Sequence, residues 1–134
     1  MTTYISPNQV AQAIVDEFCR SGAIARSIET VKVALRERRD ATCEALEQEL
    51  PDASFTPPEG GYFLWVTLPA GADVDALAAA AKDRGVIFVK GTDFLLEGGL
   101  NEFRLAYSGV RPDQISEGIG RLADAYRGLS VAAA

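Results

Sequence analysis

Histidine is absent from the 134 residues, and lysine occurs at only three positions, Lys32, Lys82 and Lys90. Without histidine there is no Ser-His-Asp triad, no Cys-His nucleophile pair and no histidine-containing metal site. Cysteine is as scarce. Cys19 and Cys43 form no C-x-x-C pair and both fall on predicted helices, which reads as a reduced cytoplasmic chain with no bound metal. Positive charge is in short supply too. Thirteen Lys and Arg against nineteen Asp and Glu leave a formal net charge of -6. That is the wrong sign for nucleic acid or an anionic membrane as partner, because phosphate binding needs a basic face. No apolar run is long enough to span a bilayer. The opening Met-Thr-Thr-Tyr-Ile-Ser-Pro has neither the basic start nor the apolar centre of a signal peptide. The glycines make no phosphate loop of the G-x-x-x-x-G-K-[ST] kind and no G-x-G-x-x-G after a strand.

What remains is ordinary globular material, 48% hydrophobic and 24% charged. Its length favours a single domain over 1–134. Ser6 is placed to cap a first helix with Pro7 at its first position, and Ser21-Gly22 ends it near Arg20. A long helix over about 24–50 follows, with Ile24, Ile28, Val31, Leu35, Thr42 and Leu46 on one face and Pro51 closing it. Arg36, Arg38 and Arg39 lie mostly off that stripe and read as a solvated or partner-facing surface. The turn 57–61 leads into a strand over 62–68. Asp73 caps a third helix that runs to about Arg84 and stops at Gly85. Strands are predicted over 86–89 and 103–107, separated by a loop whose Gly98-Gly99 calls for positive φ. Pro112 opens a last helix with Ile115, Ile119, Leu122 and Tyr126 at helical spacing, before a frayed tail at 130–134. The order implies an α+β fold: a small, mainly antiparallel sheet with helices packed on one face.

Two strands break the simple pattern. Along 62–68 one face carries Tyr62, Leu64, Val66 and Leu68, and the other carries Phe63, Trp65 and Thr67. A sheet covered on one face should alternate apolar and polar residues. The Phe63 and Trp65 face therefore wants a cover, either one of the chain's own helices or something beyond it. Along 103–107, Phe103, Leu105 and Tyr107 suit the helices, while Arg104 shares the other face with Ala106 and Ser108. A guanidinium in mid-strand beside small neighbours presents a planar fork matched to a carboxylate. A surface arginine, or one paired to an acidic side chain, is the structural alternative.

These residues coincide with a family pattern. Gly60-Gly61-Tyr62-Phe63-Leu64-Trp65-Val66 resembles the Gly-Gly-x-Phe-x-Trp strand of class I/II pyridoxal-phosphate-dependent aminotransferases. The run 85–94 resembles the strand and loop that follow it, and 101–108 resembles the Asn-x-x-Arg-Leu-x-Phe-Ser segment near the end of such enzymes. The closing helix with its Glu-Gly-Ile-x-Arg-Leu run, and the early Ser6-Pro7-Asn8-Gln9, Ser21-Gly22 and 36–40 stretches, fit in order. The subgroup most favoured includes aminoadipate, kynurenine and aromatic or branched-chain aminotransferases, and the C-terminal domains of aminotransferase-like transcription regulators look similar.

The resemblance implies the small C-terminal domain with its long connecting helix. It implies that Arg104 binds the α-carboxylate of an amino acid or 2-oxo acid substrate. Lys90 stands where the family often has proline, so it is either a solvent-facing loop lysine or a residue at the substrate entrance. The Schiff-base lysine, the acidic partner of the pyridinium nitrogen and the phosphate cup belong in the family to a large domain upstream of these residues. None of the three lysines matches that motif, so the chain contains no catalytic residue, should hold no pyridoxal phosphate by itself and should be inactive alone. The full-length enzyme would be a homodimer. A stand-alone carboxylate-binding module and a regulator's C-terminal domain are the competing readings.

Overall fold

The computed structural model describes residues 8–132. The chain divides into two compact units, Met1–Ala34 and Leu35–Ala134. Helix α1 (Gln9–Arg20) lies in the first unit, and α2 (Ala23–Glu49) contributes residues to both. In the first unit Asn8 caps α1, its Oδ1 accepting from the amides of Val10 at 3.0 Å and Ala11 at 3.3 Å. The helix thus starts later than a Ser6 cap would give; Ser6 and Pro7 lie outside the described residues. No residue of α1 is buried. Val10, Ile14 and Phe18 recur every four residues along one face and stay 69%, 63% and 46% exposed. Ile28 and Val31 of α2 are each 48% exposed. The apolar stripe predicted along α2 is therefore covered only in its C-terminal part, at Thr42, Ala45 and Leu46.

The second unit is the α+β layer pair expected. Strands β1 (Ser54–Phe55), β2 (Phe63–Thr67), β3 (Val89–Lys90) and β4 (Glu102–Ala106) form an antiparallel sheet in the order β1-β2-β4-β3. Leu64, Val66, Phe103 and Leu105 point from the sheet into a core shared with Leu46 of α2, Val74, Leu77 and Ala81 of α3 (Val74–Lys82), and Ile115, Ile119 and Leu122 of α4 (Pro112–Ala132). Each of the larger aliphatic or aromatic side chains removed from water here contributes about 1.5–3 kcal/mol. Asp73 caps α3 as expected, accepting from Asp75 N at 2.9 Å and Ala76 N at 3.0 Å.

Three elements differ from the reading of the sequence. The strand predicted over 86–89 begins to pair only at Val89, because the Val86 amide donates back to Ala81 O at 2.9 Å and Ile87 is left 81% exposed. The two-residue β1 has no periodic signal and was not anticipated; it exists because Ser54 and Phe55 find Thr67 and Val66 as partners. Helix α4 continues to Ala132, into the tail expected to fray. The arginine cluster also differs from a purely solvated face. Arg38 Nε donates to Val110 O at 2.9 Å, and Arg39 donates to Asp40 Oδ1 at 2.6 Å and to Pro58 O at 3.4 Å. Two of the three arginines thus tie loops to α2, and Arg36 stays exposed.

Candidate functional site

Strand β4 runs between β2 and β3, and Arg104 sits at its centre with Trp65 and Val89 as direct cross-strand neighbours. Directly paired residues share a face, so all three project away from the Phe103 and Leu105 core. Ala106, two residues on, is small and leaves space. Phe63, the register partner of Ala106, fills it. The Arg104 Cζ lies 3.9 Å from the Phe63 ring centroid and 4.3 Å from that of Phe94. Trp65 meets Phe94 edge-on, with centroids 5.9 Å apart and planes at 68°. The guanidinium is held between two rings, and one ring is braced by a third.

Its polar atoms are not matched. The Arg104 Nε is buried and has no hydrogen-bond partner. Arg104 joins none of the ion pairs found among the described residues. A buried donor left unpaired costs free energy, so the site is incomplete as it stands. The side chain is neither a freely solvated surface arginine nor half of an internal salt bridge. The face around it is not closed by a helix of its own unit: Phe63 and Phe94 keep 44% and 47% exposure.

The aromatic clamp has rigid supports. Tyr107 donates its hydroxyl to Gly61 O at 2.8 Å and its amide to Tyr62 O at 3.0 Å, fixing the start of the strand that carries Phe63. Burial pushes the Tyr107 phenol pKa up. Phe94 rides on a loop pinched at its base, where Gly91 and Gly99 touch. A Cβ on Gly99 would lie 2.7 Å from the Gly91 carbonyl carbon, and Gly99 has φ +75°. The Phe94 amide donates to Gly91 O at 3.0 Å, which closes the turn just before the ring.

Lys90 is not brought to Arg104. Its register partner is Phe103, which puts it on the helix side of the sheet. There its ammonium pairs with Asp75 of α3, and that hydrogen bond raises its pKa. Lys32 pairs with Glu29 at 2.9 Å, and Lys82 is exposed at the end of α3. Among the described residues no cluster of His, Cys, Asp or Glu could hold a metal. Phe94 is the residue that sequence reasoning passed over. An aromatic side chain between Gly91 and Gly98-Gly99 was the available signal, since exposed loop tips are usually polar.

Residues 1–122 match the family model described as aminotransferase class I and II. The chain is 37% identical over 120 residues to a 2-aminoadipate transaminase of Thermus thermophilus, covering 88% of this chain and 30% of that protein. It is 36% identical over 119 residues to aromatic-amino-acid aminotransferase 1 of Thermococcus litoralis, covering 87% and 28%. The HTH-type transcriptional regulator TauR of Rhodobacter capsulatus is 33% identical over 99 residues, covering 72% and 20%. Among solved structures, LysN, an alpha-aminoadipate aminotransferase from Thermus thermophilus complexed with N-(5'-phosphopyridoxyl)-L-leucine, superposes with a TM-score of 0.80 at 34% identity, covering 90% of this chain and 31% of that one. The chain thus spans about 30% of the length of the curated aminotransferases it matches. By that match, and by the fold it shares with those enzymes, the chain belongs to the class I and II aminotransferase family.

Proposed function

We propose that these residues form the small C-terminal domain and connecting helix of a pyridoxal-phosphate-dependent aminotransferase, and that Arg104 receives the α-carboxylate of its amino acid and 2-oxo acid substrates. The observation that carries this reading is the state of Arg104: clamped between Phe63 and Phe94, with a buried Nε lacking a partner and no ion pair among the described residues. A carboxylate could accept from the terminal Nη groups of the fork, which join no ion pair among the described residues, in a two-point contact that also fixes the substrate's orientation.

Pyridoxal phosphate, when bound, supplies the electron sink for amino-group transfer. The three lysines of this chain do not fit a role in seating it. Lys32 and Lys90 are engaged by Glu29 and Asp75, and Lys82 stands exposed at a helix end. The cofactor is therefore assigned to a large domain outside these 134 residues, and the chain alone to inactivity. The apolar stripe of α1 and the open Phe63 and Phe94 face support such a cover, because both keep large apolar side chains in water. A homodimer is the assembly proposed for the whole enzyme. In this reading Arg104→Ala and Arg104→Lys both lower kcat/KM of the full-length enzyme while leaving cofactor binding intact, since an ammonium cannot make the planar contact. Wild-type kinetics in both variants would remove the assignment.

The likeness to TauR supports a second reading, a regulator's C-terminal domain that binds a carboxylate without turnover. The two part on one result: steady transamination by the full-length protein belongs to the first alone.

A further inference from the structure

We infer that Phe94 is a positioning residue for substrate recognition, acting through Arg104, and that the pinched loop on which it rides exists to hold it there. This rests on the carboxylate role of Arg104 and adds to it the device that aims the guanidinium.

An arginine in mid-strand has four side-chain torsions and is rich in alternatives, so an unpaired one should not keep a single place. Arg104 lacks the usual restraint, a hydrogen-bonded acidic partner, and its Nε is buried without one. What holds it is aromatic. The guanidinium carbon lies 3.9 Å from the centre of the Phe63 ring and 4.3 Å from that of Phe94. The attraction of a cation for a ring face restrains the group without using its N–H donors. An acidic partner would hold the arginine as firmly but would occupy the fork that the substrate needs.

The two rings are not equivalent. Phe63 is fixed by its strand, within the ladder with Ala106. Phe94 comes from a loop and stays in place through three contacts. Trp65 meets it edge-on at 5.9 Å. The amides of Phe94 and Leu95 both donate to Gly91 O, at 3.0 and 3.1 Å. At the base of the loop Gly91 and Gly99 approach so closely that neither has room for a Cβ, the nearest atoms standing at 2.9 and 2.7 Å. Loop tips usually carry polar residues because they face water. Here an aromatic side chain sits 47% exposed and spends its ring on a cation.

The test is made in the full-length holoenzyme with Phe94→Leu, Phe94→Tyr, Arg104→Ala and the double variant Phe94→Leu/Arg104→Ala. Leucine keeps apolar bulk and loses the ring; tyrosine keeps the ring. Expected is a fall in kcat/KM of about threefold to thirtyfold for Phe94→Leu, from the strength of a partly desolvated cation–ring contact. Phe94→Tyr stays within about twofold of wild type, and Phe94→Leu adds nothing further once Arg104 is alanine. In protein labelled with 15N-arginine, the ring-shifted Arg104 Hε resonance moves toward its solvent position in Phe94→Leu and stays in Phe94→Tyr, which a merely structural role would not produce. If Arg104→Ala lowers kcat/KM while Phe94→Leu matches wild type, the positioning role is overturned and the carboxylate role stands. Equal losses from Phe94→Leu in the wild-type and Arg104→Ala backgrounds also overturn it, since the residue then acts elsewhere. A silent Arg104→Ala overturns the carboxylate role itself.

Discussion

Gly98 and Gly99 offer a matched pair of perturbations at the site's supporting loop. Both have left-handed backbone, at φ +83° and +75°. Alanine at either position incurs the left-handed penalty for an L-residue, about 1–2 kcal/mol. At Gly98 that is the whole cost, because a Cβ there meets nothing within 4 Å. At Gly99 the new methyl would stand 2.7 Å from the Gly91 carbonyl carbon and 2.9 Å from the Thr92 amide. Carbon atoms in contact ordinarily rest about 3.5–4.0 Å apart. The loop must therefore open by the better part of an ångström, and backbone offers no rotamer to escape into. Overpacking of this kind adds about 1–3 kcal/mol. Gly99→Ala should thus destabilise by about 2–5 kcal/mol and Gly98→Ala by about 1–2 kcal/mol. Urea unfolding with the slope held common reads the difference as a shift in midpoint. Emission from Trp65, the chain's single tryptophan, should change in the folded state of Gly99→Ala only, because the ring it braces is displaced. Equal destabilisation by the two variants would refute the steric argument and leave backbone strain alone.

Tyr107→Phe should lose about 1 kcal/mol with the hydrogen bond to Gly61 O, read by thermal melting. Burial raises the Tyr107 phenol pKa, so above about pH 10 the unfolded chain gives up its proton first. The contribution of Tyr107 is flat below that pH and falls as pH rises through the window between the unfolded and folded values; the alkaline loss of stability should be smaller in Tyr107→Phe. Mixing the 134-residue chain with pyridoxal phosphate, reducing with borohydride and mapping by mass spectrometry should give scattered labelling. A single stoichiometric adduct at Lys32, Lys82 or Lys90 would contradict the placement of the cofactor elsewhere.

Long-range packing explains what could and could not be read in advance. Periodicity exposed the helices and β2 and β4, because Leu64, Val66, Phe103 and Leu105 must face a core. Asp73 and Gly85 announced the ends of α3 because caps act within one turn. β1 and the onset of β3 were hidden, since a two-residue strand is defined by its partner and not by its own sequence. Arg104 stood out as a charge in an apolar strand, but its surroundings did not. Small neighbours suggested open space, and the space holds Phe63 and Phe94, one on the adjacent strand and one on a loop. Contact across a sheet depends on register, which no local pattern prints. The same holds for Lys90: its motif left open a solvent-facing loop lysine and a place at the substrate entrance, and its pairing with Asp75 follows from a strand register that the motif does not carry.

Recognition of a carboxylate by Arg104 can be tested by varying the substrate as directly as the protein. The full-length enzyme and its Arg104→Ala variant can each be given a substrate amino acid and the corresponding amine, which lacks only the carboxylate. Charge-assisted hydrogen bonds of about 1.5–3 kcal/mol correspond to a loss of roughly tenfold to more than a hundredfold in kcat/KM. That loss is expected for Arg104→Ala on the amino acid and almost none on the amine, whose turnover by the wild type is already low. Equal losses on both substrates would contradict it, because an arginine that serves packing alone cannot tell them apart.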